Sequence, residues 1–130
     1  MNAMLWILQV VLAAAFLAHG LMLLFPPADL VAVMDASLYK PLRYFLGVAE
    51  VAAAIGLIVP GITRIQPWLV AAAAAGLVPI MIGATVLHTI RGEYGSAITT
   101  TVLLFLVALV AWVRSRVHPI APRRRMLAHG

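Results

Sequence analysis

Cysteine is absent from this 130-residue chain, which removes disulfide staples, CxxC redox chemistry, thiolate metal sites and a cysteine nucleophile, while saying nothing about compartment. Charge is scarce as well: 10% of residues are charged, where a soluble domain carries about 25%. The chain also lacks a glycine-rich phosphate loop, a serine elbow and any metal-ligand spacing, so no enzyme class is favoured. Apolar residues fill the gap, at 65% of the chain with a mean hydropathy of +1.09. A short chain has too much surface to keep all of this inside. Lipid must be the solvent for part of it.

Four apolar stretches are long enough to cross a hydrocarbon core, which takes about 20 helical residues. They run from about Met4 to Phe25, Arg43 to Ile62, Pro67 to Ile90 and Ser96 to Val113. Backbone groups in lipid must bond among themselves, which makes each stretch a helix. Pro26 and Pro27 end the first, and Pro67 suits the first turn of the third. The first stretch has no Lys or Arg before it and exceeds a signal-peptide core in length, so it is expected to stay as an uncleaved helix. The expected fold is all-α: an integral membrane antiparallel four-helix bundle spanning residues 1–116, followed by a basic tail at 117–130.

The connection from Pro26 to Pro41 is the one long link. Leu30, Val33 and Met34 have helical spacing there, which fits a short interfacial helix; an ordered loop fits nearly as well. The other links are short and force antiparallel neighbours. Ala52 and Gly56, and Ala72 and Gly76, are small residues four apart that let helix backbones approach. The run Ala71 to Ala75 makes the third span the candidate for a central, tightly packed element, and Pro79 should bend it.

Cations set the orientation. Arg64, Arg114, Arg116, Arg123, Arg124 and Arg125 share the side of the termini, against Lys40, Arg43 and Arg91 on the other. The positive-inside rule then places a multi-pass protein in the cell membrane with both termini cytoplasmic. Next to a span, the basic tail reads as a topology signal and an anionic-lipid contact rather than a nucleic-acid site.

Polar side chains within the spans are few. Counting helical rise, Glu50 lies roughly 10 Å and His19 roughly 9 Å below the outer face, with Thr85 at roughly 8 Å and His88 at roughly 3 Å. Thr99, Thr100 and Thr101 open the last span at similar height, while the inner half offers little beyond Gln9. Arg43, Gly47 and Glu50 form one helix stripe, and a long guanidinium at Arg43 could bend toward Glu50. An ionisable side chain inside a span normally faces a partner or water. Three readings stay open: a His19–Glu50 contact that merely pins two helices, a small-molecule or proton-handling site at Glu50, His19, Arg43, Thr85 and His88, and a metal or haem site. The last has no supporting motif, because His19 and His88 differ in depth. His118, His129 and the tail arginines read as solvated or lipid-facing.

Three segments then carry a resemblance: AAAFLAHGLMLLF (Ala13 to Phe25), RYFLGVAEVAAAIGLIVPGI (Arg43 to Ile62) and PWLVAAAAAGLVPIMIGATVLHTIRGE (Pro67 to Glu93). The G-x-x-E and G-L-x-x-P pattern falls on Gly47, Glu50, Gly56, Leu57 and Pro60; the third-span pattern falls on Gly76, Gly83, Ala84, Thr85 and His88. Over nearly its whole length the chain resembles the DoxX-like family of small four-helix membrane proteins. The resemblance implies that fold and a functional neighbourhood of quinone-linked thiosulfate oxidation, redox defence and, in animal relatives, receptor-channel assembly. It therefore implies an accessory subunit binding a quinone or lipid, with no cofactor fixed. Two further functions compete: a chaperone or structural partner of another membrane protein (or of a second copy), and a proton-coupled exporter. The exporter idea comes from a likeness to small multidrug resistance proteins, which also have four helices and one membrane glutamate, there on the first helix.

Overall fold

A computed structural model describes residues 2–122. Five α-helices follow in order: α1 (Asn2–Leu24), α2 (Ala28–Ser37), α3 (Lys40–Thr63), α4 (Trp68–Ile90) and α5 (Tyr94–Trp112), the last continuing into a π-helical turn, Val113–Val117. Four of these, with the π turn counted into the fourth, are long and apolar enough to cross a membrane. The described residues contain no strand. Tail residues Arg123, Arg124, Arg125 and His129 lie outside the described range.

The spanning helices form an antiparallel ring in which α1 packs mainly on α3 and α4 mainly on α5, with α3–α4 joining the pairs and α1–α5 closing it. Leu12, Phe16, Ala54, Leu57, Ala74, Leu77, Met81, Val107 and Val110 make the core. Opposite faces present Ile7, Val48, Ile55, Val86 and Phe105 outward. In water such a surface would be an extended apolar patch; in a bilayer it is matched to its solvent.

The long connection is a ten-residue helix, α2, with no buried residue. This resolves the choice between helix and loop, and its place between two span ends suits the interfacial reading. Helix α4 departs from expectation. It is less buried than α1, and Ala72, Ala75 and Gly76 stay exposed. A four-membered ring has no central helix, so only part of the alanine run, Ala73 and Ala74, packs into the bundle. It remains helical through Pro79.

Close approach is concentrated between α1 and α3. A Cβ added at Gly20 would come within 3.0 Å of the Gly47 carbonyl oxygen and 3.1 Å of the Val51 nitrogen. One added at Gly47 would meet the Leu24 side chain at 2.7 Å. At the opposite end, a Cβ on Gly61 would strike the Trp6 ring at 2.5 Å. Glycine is therefore required at the crossing, for the reason small residues recur between membrane helices. Of the two pairs singled out from sequence, Gly56 does meet Ala73, whereas Gly76 faces open space.

Candidate functional site

The α1–α3 seam determines where polar groups meet. Along α1 the inward stripe is Leu5, Gln9, Leu12, Phe16, Gly20 and Leu23; along α3 it is Arg43, Gly47, Glu50, Ala54 and Leu57. Spacings of three and four keep both stripes on one face. Glu50 belongs to its stripe and is only 2% exposed, whereas His19 lies one residue off its own and keeps 52% of its side chain exposed. Their contact crosses the seam beside the Gly20–Gly47 approach, with His19 Nδ1 and Glu50 Oε2 2.8 Å apart.

The pair therefore has a buried carboxyl and a half-exposed imidazole. With one shared proton, Nδ1–H donates to the carboxylate and Nε2 is left as an acceptor, suited to a hydroxyl. With a second proton, Nε2–H becomes a donor, suited to a carbonyl. Either state leaves Nε2 outside the His19–Glu50 hydrogen bond.

Arg43 does not bend toward Glu50, contrary to the sequence expectation. Its guanidinium turns outward, donating from Nη1 to the Leu23 carbonyl and from Nη2 to Asp35 Oδ1 at 3.3 Å, while lying over the Tyr44 ring at 4.7 Å. The reason is local: the last carbonyls of α1 lack intrahelical partners, and Arg43 reaches one of them while α2 supplies the counter-charge. Arg43 thus joins α1, α2 and α3.

Thr85 and His88 form a separate group. Thr85 Oγ1 donates to Thr100 Oγ1 at 2.9 Å, and His88 Nδ1 lies 3.1 Å from Glu93 Oε2. Register accounts for the split. With Gly56 set against Ala73, Glu50 is level with the neighbourhood of Pro79, roughly 9 Å inside Thr85. The hydroxyls of Thr99 and Thr101 bond back to Gly95 and Ala97 carbonyls of their own helix. Arg91 donates to the Ser37 carbonyl and ties the α4–α5 turn to α2.

A second buried polar centre lies in the half that holds the termini, where the sequence points to Gln9 alone. Gln9 Nε2 donates to the Leu57 carbonyl at 2.8 Å, in the turn before Pro60. Arg114 Nε donates to Gln9 Oε1 at 2.7 Å, and Nη1 donates to Asn2 Oδ1 at 2.8 Å and to the His118 carbonyl at 3.1 Å. Arg114 is 4% exposed. The expectation of a lipid-facing arginine fails here because the helix does not end at Val113. The π turn extends it, and Arg114 continues the buried stripe of Val107 and Val110. The signal was legible, since positions 107, 110 and 114 keep the three–four spacing. Arg116 is exposed.

Among the described residues, no group of three or more His, Asp or Glu could hold a metal ion. The two span histidines are each engaged by a different glutamate.

Fold and site together define a class: a four-span helical membrane bundle with a carboxyl–imidazole pair at membrane depth. The DoxX-like family model matches residues 7–111, and the chain belongs to that family. Neither the curated proteins nor the solved structures gave a match.

Proposed function

We propose that this DoxX-like membrane protein is a non-catalytic accessory subunit that binds a quinone or a comparable lipid-soluble ligand at His19. The single observation that carries the reading is the exposed imidazole on an otherwise apolar helix face, fixed by a buried Glu50. A helix pin alone needs no exposed ring. The two hydrogen-bonding states of Nε2 match the carbonyl of a quinone and the hydroxyl of its reduced form. Titrating a short-chain benzoquinone into the purified protein in nanodiscs tests it. Saturable binding is expected, weakened at least about tenfold by His19→Phe, the effect of losing one hydrogen bond in an apolar site. Absence of saturable binding to the wild type overturns it.

A second reading is supported by a different observation. Between α3 and α4 runs an apolar groove of about 510 Å³, lined by Ala52, Gly56, Ala72, Ala73 and Gly76. Its small residues suit a helix of a membrane-protein partner or of a second copy. Crosslinking from this groove in native membranes, set against the lipid-facing side of α5, tests it.

The cation excess on the terminal side supports cytoplasmic termini. Because the chain has no cysteine, single cysteines are clean reporters. A membrane-impermeant thiol reagent should label Ala28→Cys in intact cells and spare Ser115→Cys.

A further inference from the structure

Among the described residues, the guanidinium of Arg114 is buried without a counter-charge. The chain has four acidic residues in all. Asp29 and Asp35 lie in α2, Glu93 in the α4–α5 turn, and Glu50 is bonded to His19 in the other half of the bundle. Every acceptor that Arg114 holds is neutral: Gln9 Oε1, Asn2 Oδ1 and the His118 carbonyl. Its Nη2 is buried and has no partner among the described residues. The Trp6 ring, with its centroid 5.5 Å away, completes the surroundings. A buried cation normally has a paired anion, because removing it from water is costly unless opposite charge compensates.

Three features place this cation where an external anion can reach it. It stands in the last turn of the fourth span, three residues from its end at Val117, within roughly 5 Å of the helix terminus and so at headgroup depth. The π turn carries the bond from the His118 N–H to the Val113 carbonyl at 2.7 Å and turns Arg114 inward; such turns recur at functional sites. Two of the groups that hold the guanidinium, Asn2 in the first turn of α1 and His118 just beyond the π turn, lie at helix ends, so a headgroup reaches it by parting helix ends rather than by opening the bundle.

We infer that Arg114, with Gln9 and Asn2, forms a phosphate-binding site at the terminal end of the bundle, in which Nη2 donates to an anionic phosphate oxygen. Phosphate is the matching chemistry because Nη2, the one guanidinium nitrogen left without a partner among the described residues, makes a strong charge-assisted hydrogen bond to an anionic phosphate oxygen. The shared chemistry is that of an anionic phospholipid headgroup and of free phosphate. The site is separate from His19 and Glu50 and stands whether or not a quinone binds there.

The test is native mass spectrometry of the purified full chain, titrated separately with phosphatidylglycerol, phosphatidylcholine and inorganic phosphate. The wild type should retain one phosphatidylglycerol about fivefold or more tightly than phosphatidylcholine, the effect of roughly one elementary charge at the interface. Asn2→Asp is the decisive variant. It is isosteric, it sits at an exposed position, and it supplies a carboxylate at a contact already 2.8 Å long, so the preference should vanish while the helical signal in circular dichroism is unchanged. Arg114→Gln should lose the preference too. Replacing Arg123, Arg124 and Arg125 together with Gln should keep it. Displacement of the bound lipid by millimolar inorganic phosphate would support the site and assign it to a free anion; persistence would assign it to the lipid. No lipid preference in the wild type, retention of it by Asn2→Asp, or its loss from the triple tail variant alone would overturn the inference.

Discussion

The two halves of the bundle handle buried charge in opposite ways. In the half holding the long connection, Arg43 has Asp35 and Glu50 has His19, so each buried ionisable group meets a partner of complementary chemistry. In the half holding the termini, Arg114 meets only neutral oxygens. The same α1–α3 seam runs through both, with close approach at Gly20 and Gly47 in one and at Trp6 and Gly61 in the other. Packing is therefore not what distinguishes them. The difference lies in whether the described residues supply the opposite charge. A closed pair with one exposed nitrogen suits a neutral, lipid-soluble ligand, and an uncompensated cation suits an anion.

Substitutions along the seam should separate these contributions. Gly20→Val should have the largest effect, because its side chain would press on main-chain atoms of Gly47 and Val51 that cannot move aside. Destabilisation by about 3 kcal/mol is expected from unfolding in mixed detergent micelles, and the His19–Glu50 hydrogen bond should break as the helices separate. Unchanged stability would contradict the close crossing. Gln9→Leu comes next. It leaves the Leu57 carbonyl and Arg114 Nε without their partners and should lower stability by about 2 kcal/mol, read as an earlier fall of helical circular dichroism on heating. An equally stable Gln9→Leu chain would show that the terminal centre is not closed by this residue.

Smaller effects sharpen the contrast. Glu50→Gln keeps the size of the side chain and a bond to His19, so stability should fall by less than about 1 kcal/mol, the scale of single polar interactions between membrane helices. Its quinone affinity should fall far more than its stability. Gly76→Ala should be neutral or stabilising by up to about 1 kcal/mol, since nothing lies within 4 Å of the added Cβ. If it instead disrupts crosslinks across the α3–α4 groove, a partner helix occupies that face.

Much of this architecture was legible because the hydrophobic stretches are long and the backbone in lipid has few alternatives. The expected first span, 4–25, corresponds to Asn2–Leu24, and the third, 67–90, to Trp68–Ile90. The His19–Glu50 meeting was also readable, since both depths can be counted from the span ends. Two things were hidden. Helix register places Thr85 roughly 9 Å and His88 roughly 13 Å along the bundle from Glu50, because depth from the nearest turn does not say which rungs of neighbouring helices are level. Arg114 groups with the tail in sequence because a charged residue after an apolar run ordinarily ends a span, and Asn2 and Gln9, which meet it, are more than 100 residues away. Extending the three–four stripe by one turn would place Arg114 inward.

The most direct measurement pairs two readouts on one variant: quinone affinity and unfolding free energy for His19→Phe, in the same bilayer and beside the wild type. The expected result is a tenfold or greater drop in affinity with a stability change below about 1 kcal/mol. A variant that binds the quinone as well as the wild type while losing stability would show that the imidazole only holds two helices together.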